Sequence, residues 1–254
     1  HHRKWGDALA TMAVMESEGD TGETIWDVGG QSTAPGVKEV SVEQETKRVV
    51  DTIEEISHCF GELTISVDTY RASVAEAAIK AGACIINDVS AGAMDTDMLP
   101  TMARLGVTVI LMHMRGTPQN MSRLTSYPRG LIPTIAEELL ERVAAAEAAG
   151  VRRWRIVLDP GIGFAKTAEQ NLKILQRFDE LRDWPGLRGL PWLVGSSRKS
   201  FIGKATGVEK PSERIWGTAV TVAAAIQGGA DIVRVHDVKE MEKVIKMSDA
   251  IWRA

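Results

Sequence analysis

Cysteine is nearly absent from the chain: Cys59 and Cys84 are the only two in 254 residues. Two cysteines cannot build a cysteine-rich metal module, and they are read as separate buried or half-buried thiols, not a disulfide, which points to a reducing compartment. No run of 18 apolar residues occurs, so the sequence offers no membrane-spanning helix, and the N-terminal stretch reads as neither a signal nor a transit sequence. A basic excess is missing as well: 30 Lys and Arg stand against 34 Asp and Glu, a formal net charge of -4. Non-specific nucleic-acid binding therefore has no support, and any positive field must be local to a pocket. There is no Walker loop, HExxH, EF-hand or distinctive Ser-His-Asp order, and Gly161-Ile162-Gly163 lacks the spacing of a dinucleotide fingerprint.

What the chain does have is one construction used repeatedly. Arg155 to Leu158 is a short apolar, β-branched run that ends on Asp159, after which Pro160, Gly161 and Gly163 force a tight loop. Similar runs end at Asp27-Val28-Gly29-Gly30, Asp68-Thr69, Asn87-Asp88, His113, Gly195-Ser196-Ser197-Arg198-Lys199 and Arg234-Val235-His236-Asp237. Polar groups collect after the runs and seldom before them. In a parallel sheet with helical crossovers these ends share one face, where a site is built.

Periodicity predicts helices over residues 5 to 18, 39 to 58, 71 to 81, 132 to 149, 168 to 182, 213 to 227 and 238 to 252, with a shorter one ending before Gly106. Strands are predicted at 24 to 28, 63 to 68, 84 to 87, 107 to 112, 155 to 159, 191 to 194 and 230 to 235. Residues 1–254 read as a single domain of the α/β class, a (β/α)8 TIM barrel in which the first strand and its loop are absent. A doubly wound open sheet is the weaker reading, since polar strand ends run along the entire chain instead of gathering at one crossover point. The loop from His113 to Gly130 is long enough to suggest a lid, and its methionines read as packing.

Each strand-end acid taken alone, Asp68, Asp88, Asp159 or Asp237, has about even odds of being a helix cap or loop fastener. Jointly, two carboxylates and Asn87 suit the paired N–H donors of a guanidine-like heterocycle edge, because an ionised carboxylate only accepts. The Ser196 to Ser200 segment sets two cations among three hydroxyls, and suits an anion or a ring carbonyl. Arg234 and His236 alternate, so they point the same way and suit a diphosphate clamp or the neighbourhood of a metal. His113 and His236 are too far apart in sequence to claim a zinc site.

Six blocks carry a resemblance to a known family: Asp27 to Gly36, Ser66 to Tyr70, Asn87 to Ser90, Met112 to Pro118, Leu158 to Phe164, and Gly195 to Phe201 with Arg234 to Asp237. In this order they resemble the dihydropteroate synthases of folate biosynthesis, pterin-binding enzymes inhibited by sulfonamides. The resemblance implies a (β/α)8 barrel, Mg2+ as cofactor, a homodimer, and condensation of 6-hydroxymethyl-7,8-dihydropterin diphosphate with p-aminobenzoate, releasing diphosphate. It assigns the pterin to Asp68, Asn87, Asp159, Lys199 and Arg234, the diphosphate to Thr33, Arg234 and His236, and the p-aminobenzoate side to Pro35, Phe164, Arg198 and Ser200. Lys199, Arg234 and His236 carry the catalysis in that reading. A cytoplasmic enzyme is implied, or a mitochondrial one in a eukaryotic microbe, alone or fused to other folate-pathway domains, with no nucleic-acid or membrane partner.

Two departures stand out. The family's first strand and its Asn-x-Thr-Pro-Asp-Ser-Phe loop, which helps bind metal and diphosphate, have no counterpart, so no metal ligand is named. Ala34 stands where the family usually has arginine, removing a phosphate-facing cation. The rivals are a methyltetrahydrofolate-dependent methyltransferase domain, which has no need for the Ser197 to Ser200 segment together with Arg234 to His236, and a non-catalytic pterin-binding module.

Overall fold

The computed structural model describes residues 9–15, 23–32, 37–61 and 63–253. In chain order the elements are β1 (Leu9–Met15), β2 (Glu23–Gly29), α1 (Val42–Phe60), β3 (Thr64–Asp68), α2 (Ala72–Ala81), β4 (Ile85–Asp88), α3 (Met98–Leu105), β5 (Thr108–Met112) and α4 (Leu131–Ala148). There follow β6 (Ile156–Asp159), α5 (Ala168–Gln176), α6 (Phe178–Arg182), β7 (Leu193–Val194), α7 (Ser200–Thr206), α8 (Ile215–Gln227), β8 (Ile232–Val235) and α9 (Val238–Trp252).

Eight strands form one sheet in the order β6-β5-β4-β3-β2-β1-β8-β7. A parallel bridge between Leu158 and Trp192 joins the two ends, so the sheet closes on itself as a (β/α)8 barrel. The segment read as an opening helix is, over residues 9–15, a strand that pairs antiparallel with both β2 and β8. The cause is non-local: without it β2 and β8 would each present an unpaired row of N–H and C=O groups, and filling that gap outweighs a modest helical preference. The expected parallel first strand is thus replaced by a strand of opposite direction, and its neighbours keep the parallel pairing predicted for them.

The helices follow from local chemistry. Ser41 caps α1 by accepting from the Gln44 N–H at 3.2 Å; Val49, Ile53 and Ile56 recur at helical spacing on its buried side, and Gly61 ends it at φ 76°. Thr167 and Gln170 make a reciprocal capping box at the start of α5. The helix expected over 168 to 182 breaks at Arg177 into α5 and α6, and the loop expected up to about residue 211 contains the short α7. Cys59 and Cys84 are unpaired, as expected, but both are exposed, not buried or half-buried: Cys59 sits in the last turn of α1, outside its inward stripe, and Cys84 just ahead of β4.

Successive strand residues alternate between the helix layer and the barrel interior. Outward-facing Val28, Val67, Ile86, Leu111, Leu158 and Val233 pack against the helices. Inward, Ile25, Ile85, Ile110, Val157, Leu193 and Ile232 form a closed apolar layer, one side chain from each of six strands. Each such burial contributes about 1.5–3 kcal/mol. Two residues further along the same strands stand Asp27, Asn87, Met112, Asp159, Gly195 and Arg234, with Ser66 and Asp68 on β3. The barrel therefore carries an apolar floor and, above it at the carboxyl ends, a polar layer. Among the described residues no helix is long and apolar enough to cross a membrane.

Candidate active site

The polar layer is centred on Arg234, whose Nε donates to Asp27 Oδ2 at 2.6 Å and whose Nη2 donates to Asp68 Oδ2 at 3.2 Å. Asn87 Nδ2 donates to the same Asp27 oxygen at 3.2 Å. One guanidinium thus spans two adjacent strand ends and offsets the carboxylates of buried Asp27 and half-buried Asp68. Burial, then the neighbouring Asp27 carboxylate, pushes Asp68 up to about 7 against the opposing pull of Arg234. The other oxygens, Asp27 Oδ1 and Asp68 Oδ1, are buried without a hydrogen-bond partner, and so is Ser66 Oγ. The sequence motif that contains Asp27 gives it no role by itself; its place two residues after Ile25 on the inward face is the signal that marks it.

Asp159 lies at the end of β6, where its Oδ1 accepts from Gly161 N at 2.7 Å. Burial raises its pKa, and Lys199 is the largest opposing influence. Lys199 Nζ donates to the Ile162 carbonyl and stands 5.0 Å from the centre of the Phe164 ring. Burial lowers Lys199 to about 8, held there against Asp159, so it remains mainly charged at neutral pH. Gly161 is required at its position: φ is 67°, and a Cβ would lie 2.0 Å from the His113 carbonyl oxygen.

On the opposite rim, Ser197 Oγ lies 3.0 Å from His236 Nδ1 and accepts from the His236 backbone N–H at 3.2 Å. The His236 ring keeps an exposed edge, yet the protein packed round it, then Arg234 and Arg198, push it down to about 4, leaving it neutral at pH 7. Arg198, at φ 60°, makes a two-pronged pair with Asp237, so its guanidinium is already engaged. Ser200 is exposed at the first turn of α7. Asp68, Asn87, Asp159, Phe164, Lys199, Arg234 and His236 thus sit at the same strand ends, while Thr33, Ala34 and Pro35 lie outside the described residues.

Asp88 and His113 have other duties. Asp88 spends its oxygens on Ser90 N, Ser90 Oγ and Gly92 N, all within 2.8 Å, and burial pushes it up to about 6. His113 is a core histidine, held between Lys166 and Glu138. Among the described residues no group of three or more His, Cys, Asp or Glu side chains is placed to hold a metal ion. The two orphaned carboxylate oxygens are acceptors, but Arg234 already supplies the cation between them.

An acceptor-rich barrel mouth with its own half-buried cations defines a class of protein, and the chain belongs to the pterin-binding enzyme family, whose profile matches residues 2–236. Within that family it is 46% identical to a dihydropteroate synthase of Synechocystis over 232 residues, covering 91% of this chain and 78% of that one. It is 50% identical over 234 residues to the folic acid synthesis protein fol1 of Pneumocystis carinii, covering 92% of this chain but 32% of the relative, about a third of its length. The solved dihydropteroate synthase of Clostridium difficile, determined in the presence of pteroic acid, superposes with a TM-score of 0.83 at 39% identity, covering 91% of this chain and 82% of that one.

Proposed function

We propose that the chain is a dihydropteroate synthase, joining 6-hydroxymethyl-7,8-dihydropterin diphosphate to p-aminobenzoate to give 7,8-dihydropteroate and diphosphate. The observation that carries this is the pair of buried, unpartnered carboxylate oxygens, Asp27 Oδ1 and Asp68 Oδ1, beside Asn87 and Asp159. Such an acceptor face needs N–H donors from a ligand, since a buried polar atom left unpaired costs about 1–3 kcal/mol. The amino and ring N–H edge of a pterin supplies them. Pteroic acid, present with the Clostridium difficile enzyme, contains that edge joined to an aminobenzoate.

In this reading Asp159, Asp68, Asn87 and Lys199 hold the pterin, with Asp27 added to the set. Arg234, His236 and Thr33 face the diphosphate, and Phe164, Pro35, Arg198 and Ser200 border the amine, Arg198 through its stem and backbone. The C–O bond to diphosphate breaks with its electron pair going to the leaving oxygen, and electron release from the pterin ring stabilises the methylene cation left behind. Arg234 and Lys199 stabilise the growing negative charge. The amine nitrogen then forms the C–N bond and releases its proton, a step that needs orientation more than a strong base. Mg2+ would accompany the diphosphate and help to neutralise the charge that grows on it.

The homodimer belongs to the same proposal. Trp216 and Val220 on α8, at 82% and 70% exposure, and Met247 and Ile251 on α9, at 61% and 56%, line two neighbouring helices with apolar side chains facing outward. The deciding experiment is diphosphate release from the pterin diphosphate with and without p-aminobenzoate. Amine-dependent release with dihydropteroate formed is the expected result. Pterin binding without release would favour the non-catalytic module.

A further inference from the structure

Behind the pocket lies a cluster of polar and charged groups, Lys166 and His113 buried and Glu138 and Arg115 half-buried, that takes no part in the proposed chemistry. Lys166 is 9% exposed, and its Nζ lies 2.9 Å from His113 Nδ1, 3.0 Å from the Gly161 carbonyl oxygen and 2.9 Å from the Phe164 carbonyl oxygen. Three acceptors match the three N–H bonds of an ammonium group, and a neutral amine has only two. With Nδ1 accepting, the His113 proton resides on Nε2 and is donated to Glu138 Oε2 at 2.8 Å. Arg115 closes the chain with Nε 3.0 Å from the same oxygen, and its guanidinium lies 4.2 Å over the Tyr127 ring. Tyr127 in turn donates its hydroxyl to the Ala165 carbonyl at 2.9 Å.

The loop after β5 and the turn after β6 are therefore braced together twice, through Lys166–His113 and through Tyr127–Ala165. The front of that turn is the pocket: Gly161 N binds Asp159, the Ile162 carbonyl holds Lys199, and Phe164 carries the ring beside Lys199. Lys166 grips the carbonyls at its back.

We propose that Lys166 is a positioning residue: its buried ammonium group fixes the 161–164 turn from behind and, through His113 and Glu138, locks that turn to the loop after β5, so setting where Phe164 and Lys199 meet the substrates. This rests on the synthase reading for its substrates and not for its geometry. The three acceptors offset the cost of burying a cation this deep, and two of them are carbonyls of the turn that also holds Lys199 through Ile162. Its burial lowers its pKa to about 7, with Asp159, Glu138, Lys199 and Arg115 as the charged groups around it.

The test uses the full chain carrying Lys166→Met, Glu138→Gln and both together. Steady-state kinetics with pterin diphosphate and p-aminobenzoate are run beside calorimetric titration with pteroic acid and urea unfolding. Lys166→Met is expected to fold, to raise the KM for p-aminobenzoate and the Kd for pteroic acid by about tenfold or more, and to change kcat less. Glu138→Gln shifts the same quantities in the same direction, and the double variant is no worse than Lys166→Met, because partners in one network are not additive. Unchanged KM and Kd in folded Lys166→Met, or fully additive losses in the double variant, overturn the proposal. Should Lys166→Met not fold, an unchanged pteroic acid affinity in Glu138→Gln does the same. A wild-type chain that binds pteroic acid but releases no diphosphate overturns the synthase reading alone, since the calorimetric comparison still reports on Lys166. A wild-type chain that does not bind pteroic acid overturns both.

Discussion

Asp68→Asn should make the protein more stable while disabling its site, and the gain should depend on pH. Asp68 is 15% exposed, 3.2 Å from Arg234, and held at about 7 against an ordinary value of 3.8. A carboxyl whose folded value lies above its unfolded value weakens the fold as pH rises between the two: the penalty is absent below about 4 and complete above about 7. At about 1.4 kcal/mol for each tenfold change in proton affinity, that gap corresponds to an upper limit of about 4 kcal/mol, and charge sharing with Asp27 makes about 2 kcal/mol the working figure. Asparagine carries no such penalty. Urea unfolding at pH 4.5, 6.0, 7.5 and 8.5 should show wild type and Asp68→Asn converging in acid and separating by about 2–4 kcal/mol above pH 7. In the same samples the affinity for pteroic acid should fall at least about tenfold, from loss of a charged acceptor. A stability difference independent of pH, or a less stable variant at pH 7.5, would refute the reasoning.

Three further outcomes follow from the same geometry. Arg234→Met removes the cation between Asp27 and Asp68 and should destabilise the fold by about 3–5 kcal/mol at pH 8, with partial recovery in acid as the carboxyls protonate, read by thermal unfolding across pH. The pH profile of kcat/KM should fall below about 7 as Asp68 protonates, and on the alkaline side as Lys166, near 7, and Lys199, near 8, lose their protons; Lys199→Arg should remove the Lys199 part of the alkaline fall and leave the Lys166 part, and an alkaline limb unaltered by that change would show that Lys199 takes no part in it. Trp216→Glu with Val220→Glu should convert a dimer to monomers in sedimentation velocity, with far-ultraviolet circular dichroism unchanged.

The helices and most strands were legible because their apolar residues repeat at unmistakable periods and glycine or proline ends them. Residues 9–15 were not. The run Leu-Ala-Thr-Met-Ala-Val-Met fits a helical stripe and a buried strand about equally, and what decides between them, the gap between β2 and β8, is remote in sequence. The inner and outer faces of the barrel were readable only once the strands were in register, since the distinction between Val28 and Asp27 is one residue of phase. Lys166 gave no local signal: a lysine before a helix cap reads as solvated, and only the folded turn brings His113, Gly161 and Phe164 around it.

The strand-end acids show where sequence reasoning stops. By position alone, apart from the family resemblance that singles out Asp68, Asp68 and Asp88 are interchangeable: each ends a short apolar strand, and each is as good a loop fastener as a ligand-binding group. The fold separates them by their hydrogen bonds. Asp88 has both oxygens occupied by the loop that follows it, so it is a fastener. Asp27 and Asp68 each give one oxygen to Arg234 and leave the other buried and unpartnered. Asp159 falls between, with Oδ1 fastened to Gly161 and Lys199 close enough to be the largest influence opposing its burial. A carboxylate that only stabilises its loop has no reason to leave an oxygen unpaired out of water, because that weakens the fold it serves. The unsatisfied oxygens are therefore acceptors offered to a ligand, and they stand directly above the apolar layer of Ile25, Ile85, Ile110, Val157, Leu193 and Ile232.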